Sequence, residues 1–492
     1  MRLRPDDTIT PEDLERGKSA LVKDAAWATL AGALYGGVIL VGFAVELGAS
    51  ASIIGLLAAI PFLAQLSQIG AVVLVERVRQ RRKITVLSVT ASRTLILGLA
   101  LIPFLPERSL QLGALVVAQA AIALLGSIAG CAFNSWVHQL VPRETLGELF
   151  SKRLFWSTVL SSIGALSAGY LVQQWPGVDK THAYAVAFAA AGVAGFVSTY
   201  YLMRVPEPPM AADVARTPLF ELLRTPFQDA EFRTVIIFMA SWNLASNIAA
   251  PFITVYLLRQ MGYELGTVTT LWMAAQIATA LTLYLWGRLS DRLSNKAILR
   301  VALPAYFASL VGLAFAALPE PHALTLPLLY AIHVVMGTAS GGIGLATGNL
   351  GLKLAPQGRG TSYLTAVGLS GSLAAGIAAL MGGALADWFA ARQLSLTFQW
   401  TSPDATKEVT LLQFQHWEFL FAISFALGFY VLHRLSLIRE GEEHSERTVV
   451  QQFVIEAMRS LDQLSPIEGL RTVILLPFGW LRERRIRPRS PP

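Results

Sequence analysis

The residues best able to act chemically in this chain are charges in two short loops and a few polar groups set inside long apolar runs. Gly287, Asp291, Arg292 and Lys296 stand in one loop. Glu76, Arg77 and Arg81 stand 215 positions before Asp291, Arg292 and Lys296, and the same offset pairs Trp27 with Trp242 and Asn134 with Asn349. A carboxylate flanked by cations can sit at the positive N-terminal end of a helix, where it is favoured by up to about 2 kcal/mol. Arg93 differs, because it lies about ten residues into an apolar run, which at 1.5 Å per residue is about 15 Å deep. A cation at that depth either pairs with a neighbour or attracts an anion. Motifs for other chemistry are missing: the sequence has no Gly-x-x-x-x-Gly-Lys-Ser/Thr loop, no His-Glu-x-x-His and no Gly-x-Ser-x-Gly. ATP hydrolysis and intramembrane enzymology are therefore unsupported, and no cofactor is expected.

Long apolar helices must position these groups. Hydrophobic residues make up 54% of the 492 positions and charged ones 14%, and the mean hydropathy is +0.53. This composition excludes an ordinary water-soluble globule and points to a polytopic membrane protein. A spanning helix needs about 20 apolar residues. Twelve segments meet this: 21–46, 52–75, 84–105, 110–136, 154–175 and 182–204, then 234–258, 265–287, 298–318, 325–350, 361–388 and 417–437. The 215-residue offset divides them into two halves of six. Residues 1–20 are polar and show no removable signal peptide, so the first apolar segment is expected to insert and stay. The single cysteine, Cys131, reads as a small core residue.

The net charge of +7 follows topology and forms no single patch, so nucleic acid is not expected as a partner. With the N-terminus on the cytoplasmic side, 33 of the 39 Lys and Arg residues fall in inner segments and loops. Only Arg108, Lys180, Arg259, Arg392 and Lys407 fall outside, and Arg93 lies within the membrane. Both termini are then cytoplasmic. In the first hairpin turn, Ser50 or Ser52 is expected to cap the next helix. Residues 205–233, interrupted by Pro206, Pro208, Pro209, Pro218 and Pro226, read as a linker along the inner surface. A long outer loop is expected at about 390–416. In the tail, 439–492, Val450, Phe453, Val454, Met458 and Leu461 recur at helical spacing, and five arginines from Arg482 to Arg489 follow. That pattern predicts an amphipathic helix resting on anionic lipids of the inner leaflet.

The spacing of Gly287, Asp291, Arg292 and Lys296 resembles the loop signature of the major facilitator superfamily of secondary transporters, and the resemblance covers about residues 21–438. Ser294 stands where that family usually has glycine, and Val72 and Arg79 replace both glycines of the first copy. The resemblance implies an all-α polytopic fold of twelve transmembrane helices in two pseudo-symmetric six-helix halves, 21–204 and 234–438. It further implies that Glu76 latches near the helix start at Thr361 and Ser362, and Asp291 near Ser151, when the inner side is closed. Arg77 and Arg292 would pair with nearby acids. The implied pathway runs between the halves along segments 1, 2, 4, 5, 7, 8, 10 and 11. Mid-depth polar residues on those segments are then the substrate-site candidates: Tyr35, Gln65, Gln68, Gln119, Asn243, Asn247, Gln276, His333 and Thr338. Each alternatively serves as a helix-helix hydrogen bond. Trp27 and Trp242 are either gates or interfacial anchors. Segment 3 is peripheral in this fold, which favours a structural pairing for Arg93. The run Gly368 to Gly383 reads as a close-packing surface.

The acids Asp24, Glu46, Glu76, Asp291, Asp387 and Glu418 fall near segment ends, so no carboxylate is expected at mid-depth. The expectation is a monomeric secondary transporter that moves a small neutral or anionic solute by alternating access. A transport-inactive sensor, carrier or assembly factor of the same fold, or a lipid or amphiphile exporter, remains the alternative. Fold does not fix substrate.

Overall fold

The computed structural model describes residues 5–6, 8–210, 219–316, 322–356, 360–402, 405–440 and 446–464, apart from some side chains, among them that of Asp291. The first span starts earlier than expected. Thr10 caps α1 (Pro11–Tyr35), with its hydroxyl accepting from the Asp13 amide while the Asp13 carboxylate accepts from the Thr10 amide. The chain breaks at Gly36 and Gly37, and only glycine readily takes the φ of +52° found at Gly37. It resumes as α2 (Gly37–Glu46). The second span is α3 (Ala51–Ala64), a 3-10 turn at Gln65–Ser67, and α4 (Gln68–Val78). Ser50 caps α3 as expected, with its hydroxyl accepting from the Ile53 amide. Then follow α5 (Arg81–Leu99), α6 (Arg108–Leu140), α7 (Arg143–Gln173) and α8 (Thr181–Leu202).

After α9 (Leu219–Gln228) come α10 (Ala230–Val255), extended by a π turn, α11 (Leu265–Arg292), α12 (Asn295–Phe315), α13 (Thr325–Leu354), α14 (Gly360–Phe389) and α15 (Glu418–Ser436). Among the described residues, 11 helical spans are apolar enough to cross a membrane. α5 makes the twelfth, and it differs because it carries Arg81, Arg82, Lys83 and Arg93. Its packing against α6 and α8 is that of a spanning helix. The expected outer loop is instead an antiparallel hairpin, β1 (Gln393–Ser402) with β2 (Ala405–Gln415). Its alternation of Leu394, Leu396, Phe398 and Trp400 with polar residues is a strand signal with a period of two. The tail helix α16 (Glu446–Leu464) packs on α11 and α12.

The halves repeat in their packing as well as in sequence. α1 packs on α7 and α8, α5 on α6 and α8, and α3 on α6. The second half matches each pair: α10 on α14 and α15, α12 on α13 and α15, α11 on α13. The most extensive contacts between halves are also a matched pair, α3 with α14 and α7 with α11, and α2 adds contacts to α10 and α11. One face of the molecule carries the starts of α1, α5 and α7 and the ends of α4, α6 and α8; we call it the terminal side, and the opposite face the hairpin side.

On the terminal side the first half is tied by its own loop. The chain leaving α8 buries Glu207 completely, and its Oε1 accepts from the Arg81 amide at 2.6 Å. The Arg81 guanidinium donates to the Ser135 and Pro208 carbonyls, and Trp136 donates to that of Pro206. Burial pushes the Glu207 carboxyl above the usual carboxylate range, opposed by amide hydrogen bonds from Arg81 and Arg82 and by their charges. The second half repeats the device with Glu440, which accepts from the Lys296 amide at 2.7 Å and from the Asn295 side chain at 2.6 Å. Removing one partner of a buried ion pair leaves the other uncompensated. Glu207→Ala is therefore expected to destabilise the protein by about 3–5 kcal/mol, read as a fall in the unfolding midpoint of the detergent-solubilised chain.

Candidate functional site

Two backbone irregularities frame a cavity of about 380 Å³ inside the first half. Tyr35 lines it directly before the Gly36–Gly37 break. Pro61, which removes a helical hydrogen bond, and Gln65 of the 3-10 turn line it from the second span. α5 contributes Ser92 and Arg93, α6 Gln119, α7 Arg153 and α8 Ser198. Asp24 is 6% exposed and accepts a 2.7 Å hydrogen bond from the Ser198 hydroxyl. The Arg93 stem crosses α8 where Gly195 leaves room, since a Cβ there would collide with it. Arg153 lies over the Phe133 ring at 4.9 Å. Both guanidiniums lie close enough to act on the Asp24 charge. Buried Arg93 Nε, Arg153 Nη1 and Gln119 Oε1 have no hydrogen-bond partner.

The structure thus brings together four of the sequence candidates, Tyr35, Gln65, Gln119 and Arg93. Gln68 joins them indirectly, its side-chain amide donating to Gln65 Oε1. The candidates of the second half lie elsewhere. Asn243 donates to the Met239 carbonyl and Asn247 to that of Asn243, each bonding its own helix. His333 is fully buried, its Nδ1 is 2.8 Å from the Leu329 carbonyl, and its ring meets Trp272 edge-on at 5.6 Å. It is a packed core histidine. The Thr338 carbonyl accepts from Trp286, and Gln276 is exposed on α11. Trp242 packs edge-on against Tyr306 and Phe307.

Two corrections concern charge. Asp24 is not near a segment end but is the fourteenth residue of α1, buried beside cations; the capping box at Thr10 and Asp13 was the available signal that the helix starts at residue 11. Arg153 reads as a loop cation when the fifth segment starts at 154, yet α7 begins at Arg143 and carries it into the cavity wall. Arg93 makes no ion pair within 4.0 Å among the described residues, and Asp24 is a carboxylate near enough to act on its charge.

The halves meet in a seam on the hairpin side. Asp387, near the end of α14, reaches the N-terminus of α3: its carboxylate accepts from the Ala51 and Ser52 amides at 2.9 Å each and from the Ser52 hydroxyl. Small residues bring the backbones together there, Gly55 against Ala379 and Gly383 against Ala51 and Ser52, while Gly169 faces Thr269 at the α7–α11 contact. Arg259 adds a hydrogen bond to the Val45 carbonyl across the same side. Towards the terminal side the apolar core divides. One cluster around Leu21, Val86, Trp136 and Leu202 stays within the first half, and another around Phe232, Ile236 and Tyr363 within the second.

Residues 25–383 match the profile of the Major Facilitator Superfamily. The chain belongs to that superfamily. Solved structures share its fold at low identity. A nucleoside transporter NupG mutant is 14% identical with a TM-score of 0.62, and the match covers 86% of this chain and 100% of that one. The xylose transporter XylE from E. coli is 12% identical with a TM-score of 0.60 over 88% and 98% of the two chains. A bacterial homologue of the human lysosomal transporter Spinster is 16% identical, with a TM-score of 0.57 over 77% and 84%. No curated protein matches this sequence.

In this superfamily member the signature loops are partly engaged. Glu76 and Arg77 are exposed and without a partner among the described residues. Of Thr361 and Ser362, expected to receive Glu76, the Thr361 side chain lies outside them, as does that of Asp291, while Ser362 is described and is not bonded to Glu76. Arg292 and Arg288 both pair with Glu456 of α16, and Lys296 is held at the end of α15 through its amide and through Nζ to the Ser436 carbonyl. The departures from the signature have local solutions. Arg79 takes the left-handed conformation, φ +55°, that glycine would supply, and Ser294 caps α12 by accepting from the Ala297 amide. Phe453 of the tail meets Trp286, whereas Val450 is exposed. The side chains of Met458 and Leu461 and everything from residue 465, including the arginine-rich end, lie outside the described residues. The cavity itself offers a direct check. Gly195→Val is expected to push the Arg93 side chain off α8 and shrink the cavity, visible as a displaced guanidinium in an experimental structure, with Gly113→Val on an open helix face as a neutral control.

Proposed function

We propose that this superfamily member is a secondary carrier that moves a small neutral or anionic solute by alternating access between its six-helix halves, 21–204 and 234–438. It resides in a cell inner membrane with both termini cytoplasmic, and works as a monomer with no enzymatic step. The observation that carries this reading is the asymmetry of the contacts between halves. The hairpin side is sealed by Asp387 on α3 and by small-residue packing, while the terminal-side core is split and the Glu76 loop is unengaged. With the basic loops cytoplasmic, that arrangement corresponds to an inward-open state. Return to the outward-open state would break the Asp387 contact and engage Glu76, with Asp291 in the equivalent role. Substrate would then meet Tyr35, Gln65 and Gln119 of the first half, with Gln68 behind Gln65. The basic tail beyond α16 would rest on anionic lipids.

A second reading, export of an amphiphile, draws on one feature. A groove of about 670 Å³ between α1 and α7 combines Trp27, Trp156 and Leu160 with Lys23 and with Lys18 and Lys152, which pair with Glu15 and Glu148. An anionic lipid would complement its apolar side chains and its excess of positive charge.

Two measurements test the main reading. In a Cys131→Ala background, spin labels at Glu107 and Arg392 report the hairpin side and labels at Arg77 and Lys353 the terminal side. Asp387→Ala removes a capping interaction of about 1 kcal/mol, so the hairpin-side distances are expected to lengthen as the terminal-side distances shorten. Distances that fail to move reciprocally would sink alternating access. For orientation, a cysteine at Lys407 is expected to react with an impermeant reagent in intact cells and one at Arg216 only after lysis; the reverse pattern would invert the topology.

A further inference from the structure

The cavity of the first half holds more positive charge than the fold around it uses. α5 supplies Arg93 and α7 supplies Arg153, against the single carboxylate of Asp24 on α1. The other elements bring neutral groups: Tyr35 from α1, Gln65 from the 3-10 turn, Gln119 from α6 and Ser198 from α8. Asp24 is itself engaged by Ser198. Neither guanidinium makes a hydrogen bond or a salt bridge with any described residue, and each has a buried nitrogen without a partner. Arginine cannot escape that penalty by losing its proton. A guanidinium nitrogen buried without an acceptor is costly, and two half-buried guanidiniums facing one cavity are best explained by a ligand that supplies the missing acceptors.

We propose that this cavity is a binding site for an oxyanion, a carboxylate or phosphate group, held by Arg93 and Arg153. Tyr35, Gln65 and Gln119 receive the polar remainder of the molecule. Guanidinium is the side chain best shaped for such groups, because its planar fork donates two parallel hydrogen bonds to carboxylate or phosphate. The volume of about 380 Å³ suits a small organic anion, since pockets for small molecules run from roughly 300 to 1,000 Å³. The two cations come from different helices that Gly195 and Phe133 hold in place, so the site is built by the fold and not by one flexible loop. The proposal rests on the carrier reading for its biological meaning: the oxyanion would be the transported solute, or part of a lipid headgroup. Binding alone can be tested without assuming transport.

The test uses the purified full chain at constant ionic strength. Succinate, glycerol 3-phosphate and inorganic phosphate are compared with the uncharged probe glycerol by thermal shift and calorimetry in phosphatidylcholine nanodiscs. The expected result is stabilisation by at least one of the oxyanions and none by glycerol. Binding should fall at least tenfold in both Arg93→Gln and Arg153→Gln, while Arg288→Gln, remote from the cavity, binds as wild type. A second arm extracts the protein from membranes containing phosphatidylglycerol and detects retained lipid by native mass spectrometry. If soluble probes fail but retained anionic lipid is lost in both arginine variants, the oxyanion site stands with a headgroup as its source. Should a glutamine variant not fold, phenylglyoxal labelling of the wild-type chain decides, with Arg93 and Arg153 expected to be protected by the best oxyanion. The proposal is overturned if neither soluble oxyanions nor anionic lipid depend on these arginines, or if glycerol binds equally well. A spin-label result against alternating access would leave oxyanion binding intact, and loss of oxyanion binding would leave the reciprocal distances intact.

Discussion

Three helices of this transporter begin with a carboxylate delivered by another part of the chain, and the architecture depends on that contact. A helix N-terminus presents amide donors that no residue of the same helix can satisfy, together with partial positive charge. Glu207 answers this need at α5 and Glu440 at α12, each from the chain leaving the last helix of its own half. Asp387 answers it at α3, but from the opposite half. The contacts differ in burial. Glu207 is sealed from solvent and Glu440 nearly so, whereas Asp387 is exposed. Buried partners are expensive to separate, by about 3–5 kcal/mol, while an exposed cap is worth about 1 kcal/mol. The same interaction is therefore stronger within each half than at the joint between halves.

The two halves share a packing plan but not an interior. In the second half the central polar groups lie in packed surroundings: Asn243 and Asn247 bond their own helix, His333 bonds the Leu329 carbonyl through Nδ1 and meets Trp272 with its Nε2 unpartnered among the described residues, and Trp242 is packed against Tyr306. In the first half, the break at Gly37 and the turn after Pro61 keep helices from closing on one another, and Gly195 admits the stem of Arg93. The cavity with its two cations follows from those irregularities.

The signature loops engage partners within their own halves and in the tail. Their basic members at 81 and 296 anchor the exits of the sixth helices, and Arg292 holds the tail helix through Glu456. Sequence spacing revealed that these charges were organised, because the 215-residue repeat is exact at both loops. It did not reveal their partners, which are separated by 126 residues for Arg81 and Glu207 and by 164 for Arg292 and Glu456.

What the sequence determined by itself was set by the membrane and by repetition. Apolar run length compels spanning helices, and the repeat of Glu76, Arg77 and Arg81 at Asp291, Arg292 and Lys296 compels two related halves. The caps at Ser50 and the close packing around Gly383 were legible for the same local reason: their chemistry is decided within a few residues. The site was only partly legible. Tyr35, Gln65, Gln119 and Arg93 stood out as polar groups in apolar surroundings, but Asp24 and Arg153 looked like ordinary end charges. Tertiary structure decided their role, because helices that run beyond the apolar stretch carry end charges inward, and only the packing of α1, α5, α7 and α8 sets which face each presents to the cavity. Hydropathy records how apolar a segment is; it does not record rotation or the neighbour across the gap, and those two quantities separate a buried ligand group from a topogenic charge.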